Sequence, residues 1–288
     1  MARARCPSRG LVGSGGALVA TLPPMSTSAP VLLALDTATE LIHAALSVGG
    51  TVTTLHSAGG AQASASLLPA LAGLLHDAGL AWPDLDAIAF GSGPGAFTGL
   101  RTACAITQGL ALGLDLPVIV IDTLMAVAED ARQRAPEAWS PGDTVWVLQD
   151  ARMSELYVGA YRWEGAGWQA VGAPQLWPLT EPARRWAPVA DEAGSVDMVP
   201  PPASPLRLAG NAFLAYPEAL APLLAATAGV WLAPLAQPSG AALAALAQQA
   251  WAQGATVDAA LALPVYVRDK VAKTTAERAA ERVAAFGA

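Results

Sequence analysis

"GSGPGAFTGLRTACAITQGLALGL" occupies residues 91–114, and the fold turns on how it is read. Three glycines spaced by two, Gly91, Gly93 and Gly95, surround Pro94 and lead into a run of small residues. That run predicts a helix over 98–114. A glycine-rich loop feeding a helix suits a phosphate, because glycine lets backbone N–H groups approach an anion and the helix N-terminus carries partial positive charge. Yet no Gly-Lys-Ser/Thr follows, no lysine precedes Lys270, and the spacing is not G-x-G-x-x-G. A tight turn is the commoner use of such glycines. Gly99 and Ala103, one helical turn apart, would also let another helix approach closely.

Working outward, "LDAIAF" (85–90) and "LPVIVI" (116–121) read as buried strands on either side. Upstream, "VLLALDTATE" (31–40), "LIHAALSV" (41–48) and "TVTTLHS" (51–57) read as a three-stranded meander, with Gly49-Gly50 as its hairpin turn. Residues 62–79 carry Leu67, Leu68, Leu71, Leu74 and Leu75 at helical spacing. The pattern then restarts. "TVWVLQDARMSELYVGAYRW" (144–163) repeats strand, Asp, turn and strand, with Asp150 in the place of Asp36. Residues 171–177 can close a second meander, 206–210 form a later strand, and 240–253 a helix. Two βββαβα units follow, hence two similar α/β lobes, the second decayed by Pro-rich stretches such as "MVPPPASP" (198–205). The expected division is 30–121 for the first lobe, 122–262 for the second and 263–288 for a C-terminal segment. Residues 1–29 are expected to be a disordered extension, with Met25 as the true start.

Composition narrows the function. The chain has 288 residues, 53% of them hydrophobic, and no apolar run of membrane-spanning length, so a soluble protein with no membrane partner is expected. Its net charge is −7, with only two lysines, which argues against direct, strong RNA binding. The two cysteines, Cys6 and Cys104, lie in unlike contexts, so a reducing cytoplasm fits better than a disulfide. The three histidines show no metal spacing, and no GxSxG frame surrounds a serine. Nine tryptophans without interleaved basic residues suit packing better than base stacking.

Two aspartates carry the remaining chemistry. Asp36 ends a strand and is followed by Thr37, Ala38 and Thr39. In kinase-like two-lobed folds such an Asp helps hold a metal–phosphate group, although glycine usually stands where Ala38 is. The alternative is an Asx-type turn. With Asp150 and the 91–95 loop, Asp36 would make an actin-like ATPase or small-molecule kinase.

"LALDTATE", "LLPAL", "LDAIAFGSGPGAFTGLRTACAITQGLA", "DARMSELYVGAY" and "LPVYVRD" together resemble the TsaB family over about residues 31–271. The resemblance implies an actin-like/Hsp70-like (ASKHA, ribonuclease H-like) fold and kinship with TsaD, the catalytic subunit once called a glycoprotease. It implies a non-catalytic scaffold without a cofactor. This scaffold pairs with TsaD and recruits TsaE, a small ATPase, for threonylcarbamoyl transfer to the tRNA adenosine next to the anticodon. Contact with tRNA would be indirect, and self-pairing possible when the chain is alone. Where TsaD has its HxxxH metal motif, Thr123 and Val127 stand, which also counts against peptidase activity. The implied partner interface falls on the two first-lobe helices, at Leu67, Leu71 and Leu75 and at Gly99, Ala103, Thr107 and Leu110. Asp36, Gly91, Gly93, Gly95, Thr98, Arg101 and Asp150 form the signature loop and its vestigial phosphate-facing surroundings. Arg101 is expected to meet a partner carboxylate. The family's polar run before "LLP" is here "ASAS" (63–66), which removes charge from that helix N-terminus.

Overall fold

A computed structural model describes residues 29–60, 63–186, 205–227 and 229–268. The expected extension 1–29 falls outside these except for its last residue. So do Met25, the tail beyond Arg268 and nearly all of 198–205.

The first unit opens with β1 (Leu32–Asp36), β2 (Leu41–Val48) and β3 (Thr51–Ala58), paired antiparallel in that order. Gly49 (φ 57°) and Gly50 (φ 87°) form the two-residue β2–β3 turn. Both need the left-handed backbone that hairpins of this length favour and glycine adopts freely. Helix α1 (Ala63–Asp77), β4 (Ala87–Gly91), α2 (Phe97–Leu114) and β5 (Val118–Ile121) follow. β4 pairs parallel with β1, and β5 parallel with β4, giving the order β3-β2-β1-β4-β5. β1 and β4 are buried at every position, as unbroken apolar strands covered on both faces should be.

After α3 (Thr123–Arg134) the same path repeats. β6 (Thr144–Asp150) and β7 (Glu155–Trp163) pair antiparallel. β10 (Arg207–Ala209) and β11 (Trp231–Ala233) add parallel beyond β6, which yields β11-β10-β6-β7-β8. The third meander strand differs from the expected single run over 171–177. It is split into β8 (Trp168–Ala170), on the far end of β7, and β9 (Gln175–Pro178), on its near end. Gly172 and Pro174 lie between the two, and both residue types interrupt a ladder. Short helices α4 (Glu181–Trp186), α5 (Ala212–Ala215) and α6 (Pro217–Ala226) precede the long α7 (Gly240–Ala252).

The layers run helix, sheet, helix, sheet, helix. Leu67, Leu71, Leu75 and Ala103 of α1 and α2 pack with Leu33, Ile42 and Phe90 on one face of the first sheet. Its other face is covered by α7, through Leu243, Leu246 and Ala247 against Leu32, Ala34 and Ala89. α3 lies beside α7 and packs Leu124, Val127 and Ala131 on Val145, Val147 and Tyr161 of the second sheet. Trp186, Phe213, Leu220 and Leu223 cover that sheet's outer face. α7 follows the second sheet in sequence and returns to the first. Its small residues allow the return: a Cβ on Gly240 would lie 2.4 Å from the Ala44 carbonyl oxygen. Most of the tryptophans pack on one another. Trp139 sits edge-on to Trp168 and Trp231, and Trp146, Trp177 and Trp186 form a second cluster.

Candidate functional site

The glycine loop lies directly on the β1–β2 turn. Ala38 donates its N–H to Asp36 Oδ1 at 2.6 Å, so the Asx-type turn is present. Asp36 Oδ2 accepts from Thr123 Oγ1 at 2.7 Å, and Thr123 Oγ1 accepts from the Gly93 N–H at 3.0 Å. Ala96 N–H donates to the Ala38 carbonyl at 2.8 Å, and Thr37 Oγ1 to the Gly99 carbonyl at 2.6 Å. The glycines make this approach possible. A Cβ would lie 1.7 Å from Asp36 Oδ2 at Gly91, 2.5 Å from Ala38 Cβ at Gly95, and 1.8 Å from the Thr37 carbonyl oxygen at Gly99. The loop and the turn therefore meet at van der Waals distance around Asp36 and Thr37, and Asp36 is closed off behind them. Asp36 is fully buried, and that burial raises its carboxyl to about 6 against the pull of its two hydrogen bonds.

Asp150 repeats the arrangement in the second unit. Its Oδ1 accepts from Arg152 N–H at 2.7 Å and from Tyr216 Oη at 2.7 Å. Its own N–H donates to Asn211 Oδ1 at 2.8 Å. Gly210 (φ 106°) closes on the Leu148 carbonyl as Gly91 closes on Asp36. Each aspartate is thus engaged by its own unit's backbone and a hydroxyl partner. A cleft of about 300 Å³ separates the two, lined among others by Glu40, Gly95, Phe97, Asp150, Arg152 and Arg268. Asp36 does not line it.

The lobes are joined across this cleft. Glu40 of the β1–β2 turn pairs with Arg152 of the β6–β7 turn. Arg152, Met153 and Ser154 have φ of 63°, 57° and 57°, an unusual left-handed run of three residues with side chains. Arg268 pins that turn, donating to the Ala151 carbonyl at 2.9 Å and to Glu155 at 2.5 Å.

The helical positions expected to face a partner mostly face inward. Leu67, Leu71, Leu75, Gly99, Ala103 and Thr107 are buried against this chain's own first sheet, and Leu110 is half-buried beside them. The reason is geometric: the stripe chosen from periodicity is the one the sheet takes. The outer faces carry Leu68 on α1 and Thr98, Arg101, Ala105, Gly109 and Leu112 on α2, all exposed. Thr123 is committed to Asp36 and Gly93, and Val127 is buried against the second sheet. Among the described residues no three His, Cys, Asp or Glu side chains gather closely enough to hold a metal ion. No described helix is long and apolar enough to cross a membrane.

The sequence marked off a C-terminal segment from 263 but did not show where it packs. Residues 261–268 run back along α2, with the Ala262 carbonyl accepting from Cys104 Sγ at 3.2 Å and Gln108 Nε2 at 3.0 Å. Val265 N–H donates to the Ser92 carbonyl at 2.8 Å, which seals the glycine loop from outside. An irregular segment of this kind carries no periodicity to announce it.

The chain is similar to known proteins over most of its length. The family described as TsaD: tRNA N6-adenosine threonylcarbamoyltransferase matches residues 47–276. The tRNA threonylcarbamoyladenosine biosynthesis protein TsaB of Escherichia coli is 31% identical over 253 residues, covering 84% of this chain and 96% of the relative. The Haemophilus influenzae TsaB is 41% identical over 126 residues, covering 44% of this chain and 51% of the relative. Among solved structures, YeaZ from Pseudomonas aeruginosa superposes with a TM-score of 0.65 at 34% identity, covering 82% of this chain and 99% of that one. The repeated strand order gives the fold as two-lobed and actin-like. With a relative 31% identical over 96% of its length and a solved structure 34% identical over 99% of its own, the chain belongs to the TsaB family.

Proposed function

We propose that this chain is a non-catalytic scaffold subunit of tRNA threonylcarbamoyladenosine synthesis. In this reading it pairs with TsaD and gives TsaE a docking surface, while TsaD carries out threonylcarbamoyl transfer. The observation that supports it best is the committed aspartate: Asp36 is fully buried, is held by the Ala38 N–H and the Thr123 hydroxyl, and does not line the cleft between the lobes. A chain whose Asp36 is so committed can still offer surfaces. The outer faces of α1 and α2, with Leu68 43% and Leu112 64% exposed around small residues, are suited to close helix–helix contact. This is the surface we assign to TsaD, in place of the inward stripe. The same face can pair two copies when TsaD is absent. The acidic chain suits tRNA contact only through the complex.

The test is co-purification and size-exclusion chromatography with the TsaD encoded in the same genome, followed by tRNA modification assays with TsaD and TsaE. A stoichiometric complex, modification that requires this chain, and no turnover by the chain alone are expected. Absence of a complex, together with tight ATP binding that Asp36→Ala abolishes, would overturn the reading in favour of an actin-like ATPase or small-molecule kinase.

A further inference from the structure

The segment beyond the short 3-10 turn Ala259–Leu261 is fastened to α2 through its backbone, at Ala262 and Val265. Fastening by backbone leaves side chains pointing away. Leu261, Leu263, Val265 and Tyr266 are 68%, 62%, 43% and 45% exposed. Four large apolar side chains within six positions form a ridge beside α2, where soluble surfaces seldom leave such a run bare.

Arg101 stands at the end of this ridge. Its guanidinium lies 3.9 Å from the centre of the Phe97 ring, and its Nε donates to Tyr266 Oη at 3.2 Å. Phe97 and Tyr266 are themselves in contact, with ring centres 5.2 Å apart. The two rings hold the guanidinium plane in place, and Arg101 remains exposed. Among the described residues no carboxylate lies within salt-bridge distance of Arg101, whereas Arg132, Arg134, Arg152, Arg162, Arg184, Arg185, Arg207 and Arg268 each have one. A pre-oriented arginine gives up little conformational freedom on binding, and its fork matches a carboxylate. The chain is acidic overall, which disfavours an anionic phosphate as the partner group.

We infer that the 261–266 ridge and Arg101 form one docking surface, which binds a TsaD face presenting an acidic side chain at the edge of an apolar patch. The inference rests on the pairing reading above and extends the α2 outer face, at Arg101, onto the 261–266 ridge. Apolar side chains with an aromatic-backed arginine at one end have the make-up of an interface hot spot. The carboxylate fixes orientation, and the ridge supplies the buried area.

The experiment titrates this chain with the TsaD of the same genome by calorimetry at low and moderate salt, using wild type, Arg101→Gln, Arg101→Lys, Leu263→Asp and Leu68→Asp. The changed side chains are all at the surface, and unchanged melting of the isolated variants checks their folding. Arg101→Gln is expected to weaken binding by about tenfold or more and to flatten its salt dependence. Arg101→Lys should recover only part of the loss, because lysine keeps the charge and loses the fork. Leu263→Asp should weaken binding at both salt concentrations. Leu68→Asp reports on the α1 outer face alone. If it abolishes binding while Arg101→Gln and Leu263→Asp bind as wild type does, the pairing reading stands and this inference is overturned. If wild type itself does not bind, the pairing reading falls and takes the inference with it. If Arg101→Gln leaves TsaD affinity unchanged but shifts the self-association or melting of the isolated chain, Arg101 serves a second copy or its own chain, which also overturns the inference.

Discussion

Thr123 Oγ1 donates to Asp36 Oδ2 at 2.7 Å, joining residues 87 positions apart. The same oxygen accepts from Gly93 N–H, so one hydroxyl ties the ends of β1, β4 and β5 together. Thr123→Val keeps the shape and removes both bonds, leaving a buried carboxylate oxygen and a buried N–H without partners. Chemical denaturation should show a loss of about 2–4 kcal/mol, most of it restored in Thr123→Ser.

Glycine replacements should separate packing from propensity. Gly91→Ala would drive a methyl group to 1.7 Å from Asp36 Oδ2 and should cost about 3 kcal/mol or more, read as a lowered urea midpoint. Gly73, exposed in α1, has open space where a Cβ would go. Gly73→Ala should raise stability by about 0.5–1 kcal/mol.

Much of the first unit was legible because its strands are unbroken apolar runs and its helices carry leucine at helical spacing. The Asp36 turn could be read from Asp followed by threonines, and the restart of the pattern at Asp150 carries the repeat. The orientation of α2 could not be read the same way. Ala, Gly and Thr lie nearly all round it, so periodicity cannot say which side meets the sheet; burial at Gly99, Leu100, Ala103, Cys104 and Thr107 decides it. The second unit hid more. α6 carries proline at Pro217 and inside it at Pro222, and β11 is only three residues long. Both depend on tertiary packing rather than on local signal.

Two buried groups should bend the pH profile in opposite senses. Asp36 is raised to about 6, so the native chain keeps its proton where the unfolded chain has lost it, and stability falls as pH rises from about 4 to 6. His43 is lowered to about 4, mainly by burial, with Asp130 opposing and His56 assisting. Its Nε2 has no partner. The native chain resists protonating it, so this contribution is present above pH 6.5 and is lost as pH falls toward 4. Each spans roughly 3 kcal/mol, so together they nearly cancel. Urea midpoints measured from pH 4 to 7 should therefore be flatter for wild type than for either variant. Asp36→Asn should gain stability as pH rises, and His43→Leu should lose it.

Arg268 should act as the clasp of the β6–β7 turn. Arg268→Ala removes the donors to Ala151, Arg152 and Glu155, and the left-handed run 152–154 loses its support. Hydrogen exchange should accelerate about tenfold or more at residues 151–155, with the strands of the first sheet unchanged. Equal exchange at the turn would show that Glu40 and Asp150 hold it unaided.

The return of α7 to the first sheet also sets an order of events on the ribosome. Leu32, Ala34 and Ala89 emerge early, but Leu243, Leu246 and Ala247, which cover them, are made only after every strand of the second sheet. Throughout synthesis of the second unit the nascent chain carries one half-clothed sheet. Its exposed apolar face is open to chaperones and to misassociation until α7 clears the exit tunnel. A premature stop anywhere before Gly240 therefore yields a sticky fragment rather than a working half.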